Sequence, residues 1–218
     1  HASITPWNFG GTKMYVYSAI GGVVAVAAEG PDAGKILWSS LKWANSVVAS
    51  SAVCLPDGTV FLSAGYGSGS MVFKVSGSNG NFTAEKLYDY KPKDGMASEM
   101  QTPVYYDGMV YGIMPKDGGA LRNQMICVDP KDFREVIWTS GKTHRFGLGP
   151  YMIADDKFYI LNDDGTLTIG KPDKKEFIVL DQLRVFEGHD AWAPMAVADG
   201  YLILRDDKKM LCLNMKKI

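Results

Sequence analysis

Cysteine is scarce in this sequence, and charge of neither sign dominates. The 218 residues include three cysteines, Cys54, Cys127 and Cys212, and none of them forms a CxxC pair. Their number and spacing argue against a zinc site and against a disulfide scaffold. The formal net charge is −1, so the composition predicts no general attraction to nucleic acid or to an anionic membrane.

Long apolar runs and helical periodicity are also missing. The longest uncharged apolar stretch, Ala19–Ala28, is far shorter than the ~18 residues that a membrane-spanning helix needs. No segment keeps a 3.6-residue apolar period over the length of a helix. Apolar residues nevertheless make up 46% of the chain, which is enough for a sizeable core. These features predict a chain that is mostly strand and has no membrane span.

What the sequence does contain is a repeat. Each of five segments opens with a small residue, usually proline: Pro6, Ser51, Pro103, Pro150 and Pro194. The steps between these opening residues are 45, 52, 47 and 44 residues. A turn signal such as Asp57-Gly58 follows each opening, and an apolar strand such as TVFLSA comes next. A third strand and, in several segments, a fourth complete the unit. Four short strands per period indicate the blade of a β-propeller.

The predicted fold is therefore all-β, a single β-propeller domain over residues 1–218. About five four-stranded blades are visible, and the last of them has three strands. The predicted blades span approximately residues 3–40, 47–90, 100–140, 147–186 and 191–218.

Two of the segments carry a more specific pattern. In AAEGPDAGKILW and CVDPKDFREVIW an acid, Glu29 or Asp129, stands nine residues before a tryptophan, Trp38 or Trp138. The pattern resembles the repeat of the PQQ-binding-like, or quinoprotein-type, β-propellers, in which such residues join neighbouring blades. The resemblance implies a blade-docking role for these four residues.

The other segments match this repeat less closely. Arg134 stands where Gly34 keeps the usual glycine, and Tyr88 and Val185 or Phe186 lie near the tryptophan position in the second and fourth units. The chain is similar to uncharacterised bacterial members of the family, often exported, which implies a periplasmic or otherwise exported location. Because such propellers typically have about seven or eight blades, the chain is expected to be a C-terminal portion of one. A five-bladed ring is the alternative.

Propeller topology predicts where a ligand would bind. Strands alternate in direction, so the loops between blades emerge on the same face as the loops from second to third strand. The loops between blades lead into the innermost strands, and their last residues are expected to surround the mouth of a central channel. The candidate ligand-binding residues are Trp43, Asn45, Glu99, Gln101, His144, Arg145, His189, Asp190 and Trp192.

The stretch GHDAWAPM places His189 beside Asp190. Successive side chains at the start of a strand point to opposite sides, so these two are not expected to act as a base and its orienting partner. No serine or cysteine nucleophile motif accompanies them. We therefore predict no catalytic residue and no metal ligand, and we interpret His144 and His189 first as structural hydrogen-bonding residues and alternatively as ligand contacts.

Three functions follow from these patterns. The favoured one is a non-catalytic binding or scaffold module in the bacterial envelope, with a protein, peptide or glycan as ligand. The first alternative is a PQQ- and calcium-dependent dehydrogenase of an alcohol or sugar, which is disfavoured because the sequence has no adjacent cysteine pair and no acid-rich calcium cluster. The second alternative is a polysaccharide lyase or hydrolase that uses His144, His189 and Arg145. Open blade edges are also expected to pair with the remaining propeller portion or with a second copy.

Overall fold

Within the residues that the structure describes, the strands form five antiparallel sheets that follow one another along the chain. The computed structural model describes residues 1–187 and 190–216. The first sheet contains β1 (Thr5–Phe9), β2 (Thr12–Ala19), β3 (Gly22–Ala27) and β4 (Ile36–Ser40). The second contains β5 (Val53–Cys54), β6 (Thr59–Ala64), β7 (Gly69–Ser78) and β8 (Asn81–Tyr90).

The remaining sheets repeat this arrangement. The third contains β9 (Val104–Tyr106), β10 (Met109–Ile113), β11 (Met125–Val128) and β12 (Val136–Thr139). The fourth contains β13 (Tyr151–Ala154), β14 (Lys157–Leu161), β15 (Thr166–Lys171) and β16 (Ile178–Arg184). The fifth has three strands: β17 (Ala196–Ala198), β18 (Tyr201–Arg205) and β19 (Met210–Asn214). The described residues also include two short 3-10 helices in loops, at Pro92–Asp94 and Gly119–Leu121.

Each sheet is a simple meander in which sequential strands are hydrogen-bonded neighbours. This confirms the predicted all-β fold, with four-stranded units and a three-stranded last unit. Within the described residues, no helix is long and apolar enough to cross a membrane.

The buried apolar side chains of the described residues form four separate clusters, each between two consecutive sheets. Phe73 and Trp38 lie in the cluster between the first and second sheets. Phe61 packs on Phe133 between the second and third, with stacked rings whose centroids are 4.5 Å apart. The other two clusters join the third sheet to the fourth and the fourth to the fifth. Face-to-face packing of successive sheets, without a common centre of apolar side chains, is the arrangement of propeller blades.

The first hairpin turn of most sheets has two successive residues with positive φ. This holds for Gly10-Gly11, Asp107-Gly108, Asp155-Asp156 and Asp199-Gly200. Positive φ at both central residues is the geometry of a type I′ turn, whose twist matches that of the flanking strands. Glycine and aspartate are among the residues that adopt it most readily, which explains why the turn signals in the sequence recur.

A β-bulge also recurs at one position of the outermost strand in all four complete sheets. The residue skipped in the register is always leucine or isoleucine: Leu37, Leu87, Ile137 and Leu180. The residue after each bulge is Trp38, Tyr88, Trp138 or Asp181. In the fourth unit, therefore, Asp181 occupies the position equivalent to tryptophan, and Val185 and Phe186, which were expected near it, lie beyond the end of β16.

Candidate functional site

Hydrogen bonds at the spacing of the repeat join the segments that lead into the innermost strands. Ser51 N–H donates to Thr102 Oγ1 at 2.9 Å, and the Tyr151 hydroxyl donates to Thr102 O at 3.1 Å. The Gln101 amide donates to the carbonyls of Gly147 and Gly149, both at 3.0 Å. These bonds hold the entries to the second, third and fourth sheets in one fixed arrangement.

The same entry segments enclose a cavity of about 380 Å³, here called the axial cavity. Its lining comes from the segments before the innermost strands of all five sheets, which is where propeller topology places the mouth of a central channel. The lining residues are Ser3, Ala49, Ser51, Met100, Gln101, Thr102, Leu148, Pro150, Tyr151, Trp192 and Pro194. Their side chains offer hydroxyl, amide, thioether, aromatic and aliphatic groups, which bind ligands by hydrogen bonds and apolar contact.

Trp192 is the most exposed aromatic group of this lining, with 43% of its surface accessible. Its indole Nε1 donates to Asp163 Oδ1 at 3.0 Å, and the same oxygen accepts the main-chain N–H of Leu148 at 2.7 Å. Asp163 thus fixes two walls of the axial cavity relative to one another. A β-carbon at Gly147 would overlap the Asp163 carboxylate, so the close approach of this loop requires glycine.

Asp163 was not among the candidate residues from the sequence, because the run DDGTL has the composition of an ordinary hairpin turn. The turn itself uses its neighbours, since Gly165 N–H donates to Asn162 O and Thr166 N–H to Asp164 Oδ1, both at 2.9 Å. The hairpin turn uses the carboxylate of only one aspartate, Asp164. The presence of a second, adjacent aspartate was the sequence signal that could have indicated a role for Asp163. The surplus carboxylate, Asp163, lies on the face where the loops between sheets emerge.

Glu99 lies apart from the axial cavity, in a second group of polar side chains. Its carboxylate is buried, with Oε1 3.5 Å from Lys116 Nζ, and Oε2 accepts no hydrogen bond within the described part of the chain. The Lys116 ammonium lies 6.0 Å from the centre of the exposed Tyr66 ring. Because a buried acceptor without a donor raises the free energy of the folded state, the Glu99 carboxylate is a destabilising feature that the contact with Lys116 offsets only in part.

His144 and Arg145 line a different, polar groove of about 310 Å³ between the third and fourth sheets, together with Asp164, Thr168 and Gln182. The carbonyl of His144 accepts the Ser140 hydroxyl at 2.6 Å, and Arg145 Nη1 donates to the Arg122 carbonyl at 3.2 Å. Both residues therefore make local structural contacts, and they do not reach the axial cavity.

The remaining candidates are scattered. Trp43 is buried in the first cluster and its Nε1 donates to Ser18 Oγ at 2.9 Å, while Asn45 is tied through its main-chain N–H to Ile20 O at 2.9 Å. Asp190 is exposed with φ of 67°, and His189 lies outside the described residues. Of the nine predicted residues, the structure thus places Gln101 and Trp192 in the axial cavity. Ligand binding by the whole set stays a prediction.

The four residues with an implied blade-docking role fall into two groups. The two tryptophans contact a neighbouring sheet, whereas the two acids make contacts within their own sheet or loop. Trp138 Nε1 donates to Asp173 O of the fourth sheet's outer loop at 2.8 Å, and Trp38 is buried between the first and second sheets. Glu29 pairs with Lys13 of its own sheet at 2.9 Å. The Asp129 carboxylate accepts the main-chain N–H of Lys131 at 2.9 Å, a contact within its own loop.

The positions of the three cysteines are relevant to the alternative of a PQQ-dependent enzyme. Cys54, Cys127 and Cys212 lie on strands of three different sheets, so they do not supply the adjacent pair that the quinoprotein resemblance implies for the enzymes. Burial raises the pKa of the Cys54 and Cys127 thiols to about 12. Among the described residues no group of three or more His, Cys, Asp or Glu side chains is arranged to hold a metal ion. The expectation that binding of PQQ and calcium is possible but disfavoured stays a prediction.

Comparisons with known proteins agree with the fold. No family model and no curated protein sequence matches the chain. The computationally designed Ika8 protein aligns with a TM-score of 0.58 at 13% identity, over 97% of this chain and 67% of that one. The computationally designed Ika4 protein aligns with a TM-score of 0.52 at 12% identity, over 78% of this chain and 95% of that one.

Apo AztD from Citrobacter koseri aligns with a TM-score of 0.46 at 16% identity, over 98% of this chain and 71% of that one. The likeness to the two designed proteins, at such low identity, concerns the fold alone. Fold and cavity together define the class: an all-β, propeller-type repeat protein with a concave face formed by the loops between its sheets.

Proposed function

We propose that this protein is a non-catalytic binding or scaffold module of the bacterial envelope that holds a protein partner through a peptide segment in the axial cavity. The observation that carries the proposal is the convergence of entry segments from all five sheets on one cavity of about 380 Å³. This volume falls in the range of roughly 300–1,000 Å³ that is usual for ligand sites. Repeat folds suit such a role, because the sheets maintain the fold while the loops are free to vary.

The rigidity of the lining supports binding with little loss of conformational freedom. Trp192 is held by Asp163 at 3.0 Å, and Gln101 is held by two carbonyls at 3.0 Å. Side chains already fixed in their bound positions lose little entropy when a ligand arrives. Tryptophan is also among the residue types that most often dominate binding energy at protein interfaces, and Trp192 is exposed enough for a bound peptide to cover it.

The chemistry of the lining favours a peptide with an apolar side chain flanked by main-chain groups. Met100, Leu148 and Tyr151 offer apolar surface, while Ser51 and Thr102 contribute hydroxyl groups at the edge of the cavity. The location in the envelope rests on the resemblance of the sequence repeat to exported PQQ-binding-like propellers.

The test is selection of binders from a displayed library of random peptides and, in parallel, from a glycan array. We expect peptides whose binding is lost in Trp192→Ala and retained in Tyr66→Ala, which removes another exposed aromatic group outside the cavity. Peptides that bind both variants equally would show that the cavity is not the site. Binding of glycans alone would replace the peptide ligand, and binding of neither would refute the proposal.

The alternative of a PQQ- and calcium-dependent dehydrogenase is tested by thermal unfolding. A cofactor that binds the folded state raises the melting temperature in proportion to the logarithm of its concentration. We expect no rise with PQQ and calcium together. A rise that grows with PQQ concentration would favour the enzyme over the binding module.

A further inference from the structure

The outer edge of β19 has no strand partner in the described part of the chain, whereas each of the other four sheets has a fourth strand there. At the two ends of the β18–β19 pair, Met215 N–H donates to Gly200 O at 2.8 Å and Asp206 N–H to Lys209 O at 3.1 Å. Hydrogen-bonded and non-hydrogen-bonded pairs alternate along an antiparallel ladder. The main-chain groups that point to the open edge therefore belong to alternate residues: Met210, Cys212 and Asn214.

A cavity of about 280 Å³ lies beside this edge, between the fourth and fifth sheets. Its floor is apolar, with Leu167 and Leu183 on the fourth sheet and Leu213 and Met215 on the fifth. Leu183 is 59% exposed, which is high for a leucine in the middle of a repeat fold. We call this edge and its floor the edge groove.

The edge groove is one strand wide. The fourth sheet has four strands and the fifth has three, so β16 extends one strand beyond β19. This width also argues against a second copy as the occupant. If two copies paired symmetrically through β19, their fifth sheets would join into one continuous sheet. The fourth sheets of both copies would then lie against this joined sheet, and β16 of one copy would overlap β15 of the other.

The packing of the complete sheets indicates what the groove accepts. In the first three sheets the residue after the bulge of the outermost strand is Trp38, Tyr88 or Trp138, and each packs toward the following sheet. In the fourth sheet this residue is Asp181, whose side chain lines the edge groove two residues before Leu183. The groove therefore presents a carboxylate where the other sheets present an aromatic ring.

We propose that the edge groove binds one extended peptide as the fourth strand of the fifth sheet. A strand antiparallel to β19 runs parallel to β16, in which Asp181 comes before Leu183. The matching peptide therefore carries a basic residue followed, two positions later, by a large apolar residue. Its main chain pairs with the outward groups of β19, which is the strand-addition mode of peptide recognition. This site is separate from the axial cavity and does not depend on the function proposed for it.

The probe is a fluorescein-labelled peptide with the sequence of residues 33–40, AGKILWSS, in which Lys35 stands two positions before Leu37. The last five residues of this segment form the outermost strand β4 of the first sheet. Titration with the full 218-residue protein is followed by fluorescence anisotropy. We expect saturable binding. The Leu37→Asp peptide should bind at least about tenfold more weakly, because a buried leucine side chain is lost.

Three protein variants localise the peptide. Cys212→Pro removes an N–H that points away from β18, so the hydrogen bonds between β18 and β19 are kept. Addition of a strand to β19 is blocked, and peptide binding should be lost. Leu183→Asp places a charge in the groove and should weaken binding at least about tenfold. Leu180→Asp is the matched control, because Leu180 is 52% exposed on the same strand and does not line the groove; binding should be unchanged.

The proposal fails if the wild-type protein shows no saturable binding, or if Leu183→Asp binds as well as Leu180→Asp. Should Cys212→Pro not fold, as judged by circular dichroism, the Leu183 and Leu180 pair decides alone. If the Trp192→Ala variant no longer binds the probe, the peptide binds in the axial cavity. That result would refute peptide binding in the edge groove without refuting the proposed function. A concentration-dependent dimer that disappears in Leu183→Asp would assign the groove to a second copy.

Discussion

The second and fifth sheets come from the same repeat, yet they differ in how many of their faces are buried. All six residues of β6 in the second sheet are buried, whereas in β18 of the fifth sheet buried and exposed residues alternate. The second sheet packs against neighbours on both sides, while the fifth packs only against the fourth within the described residues.

The first sheet behaves like the fifth. Tyr15 and Tyr17 of β2 are exposed, as are Tyr201 and Ile203 of β18, although all four stand on strands whose equivalents in the middle sheets are covered. An apolar side chain in this repeat is therefore buried only if a neighbouring sheet packs on the face to which that side chain points. The comparison predicts that equal substitutions have unequal effects in middle and end sheets.

The largest expected effect contrasts two isoleucines. Ile160 of β14 is fully buried between sheets and Ile203 of β18 is 38% exposed. Removal of a buried isoleucine side chain leaves a cavity, so Ile160→Ala should lower the free energy of unfolding by ~2–5 kcal/mol. Ile203→Ala should lower it by only about 1 kcal/mol, because a partly exposed side chain loses less buried surface and leaves no enclosed cavity. Urea unfolding of both variants measures the difference, and equal midpoints would contradict the burial of β14 on both sides.

The cysteines provide the second contrast. Burial raises the pKa of the Cys54 and Cys127 thiols to about 12, and Cys212 of β19 is exposed. Since the thiolate is the reactive form, Cys212 should react with a maleimide at pH 8 at least about a hundredfold faster than the other two. Mass spectrometry after timed labelling measures the rates. In urea all three should react alike, and rapid labelling of Cys54 in the native protein would contradict the buried position of the second sheet.

The smallest effect concerns the turn of the fifth sheet. Asp206 accepts the main-chain N–H groups of Lys208 and Lys209 at 2.8 and 2.6 Å, and these bonds hold the pKa of its carboxyl below the ordinary value. The stability that the carboxylate contributes is therefore present above the unfolded-state pKa of about 4 and is lost as the pH falls through the folded-state value.

Asp206→Asn keeps an acceptor oxygen but does not titrate, so its stability should change less than that of the wild type between pH 7 and pH 3. Urea midpoints at the two pH values measure this effect. Asp207→Asn is the control, because the Asp207 carboxylate accepts no hydrogen bond among the described residues. If Asp206→Asn and the wild type lose stability in parallel, the turn does not depend on the charge of Asp206.

Much of the fold could be predicted from the sequence, because each blade carries its own local signals. Turn pairs such as Asp107-Gly108 adopt positive φ, and the apolar strands that follow them pair with the strands before and after them in the same unit. The recurring bulge was not predictable in the same way. Leu87 and Leu180 are equivalent in the register although the residues after them, Tyr88 and Asp181, share no chemical character.

The candidate site was predicted less completely. Gln101 and Trp192 stand next to the starts of innermost strands, and topology alone brings them to the axis. His144 lies earlier in a long loop, so its position depends on how that loop folds against the third and fourth sheets. Asp163 was not predicted because its contacts with Leu148 and Trp192 cross from one loop to two others.

Sequence alone determined the strands, the turns and the five-fold recurrence of one unit, since these depend on residues a few positions apart. Only the tertiary structure decided which apolar faces are covered, which loop residues meet around the axial cavity, and that Asp181 and Leu183 lie beside an open strand edge. The physical reason is that burial and hydrogen bonding between sheets depend on groups about one repeat apart. No local pattern specifies which of those groups will be neighbours.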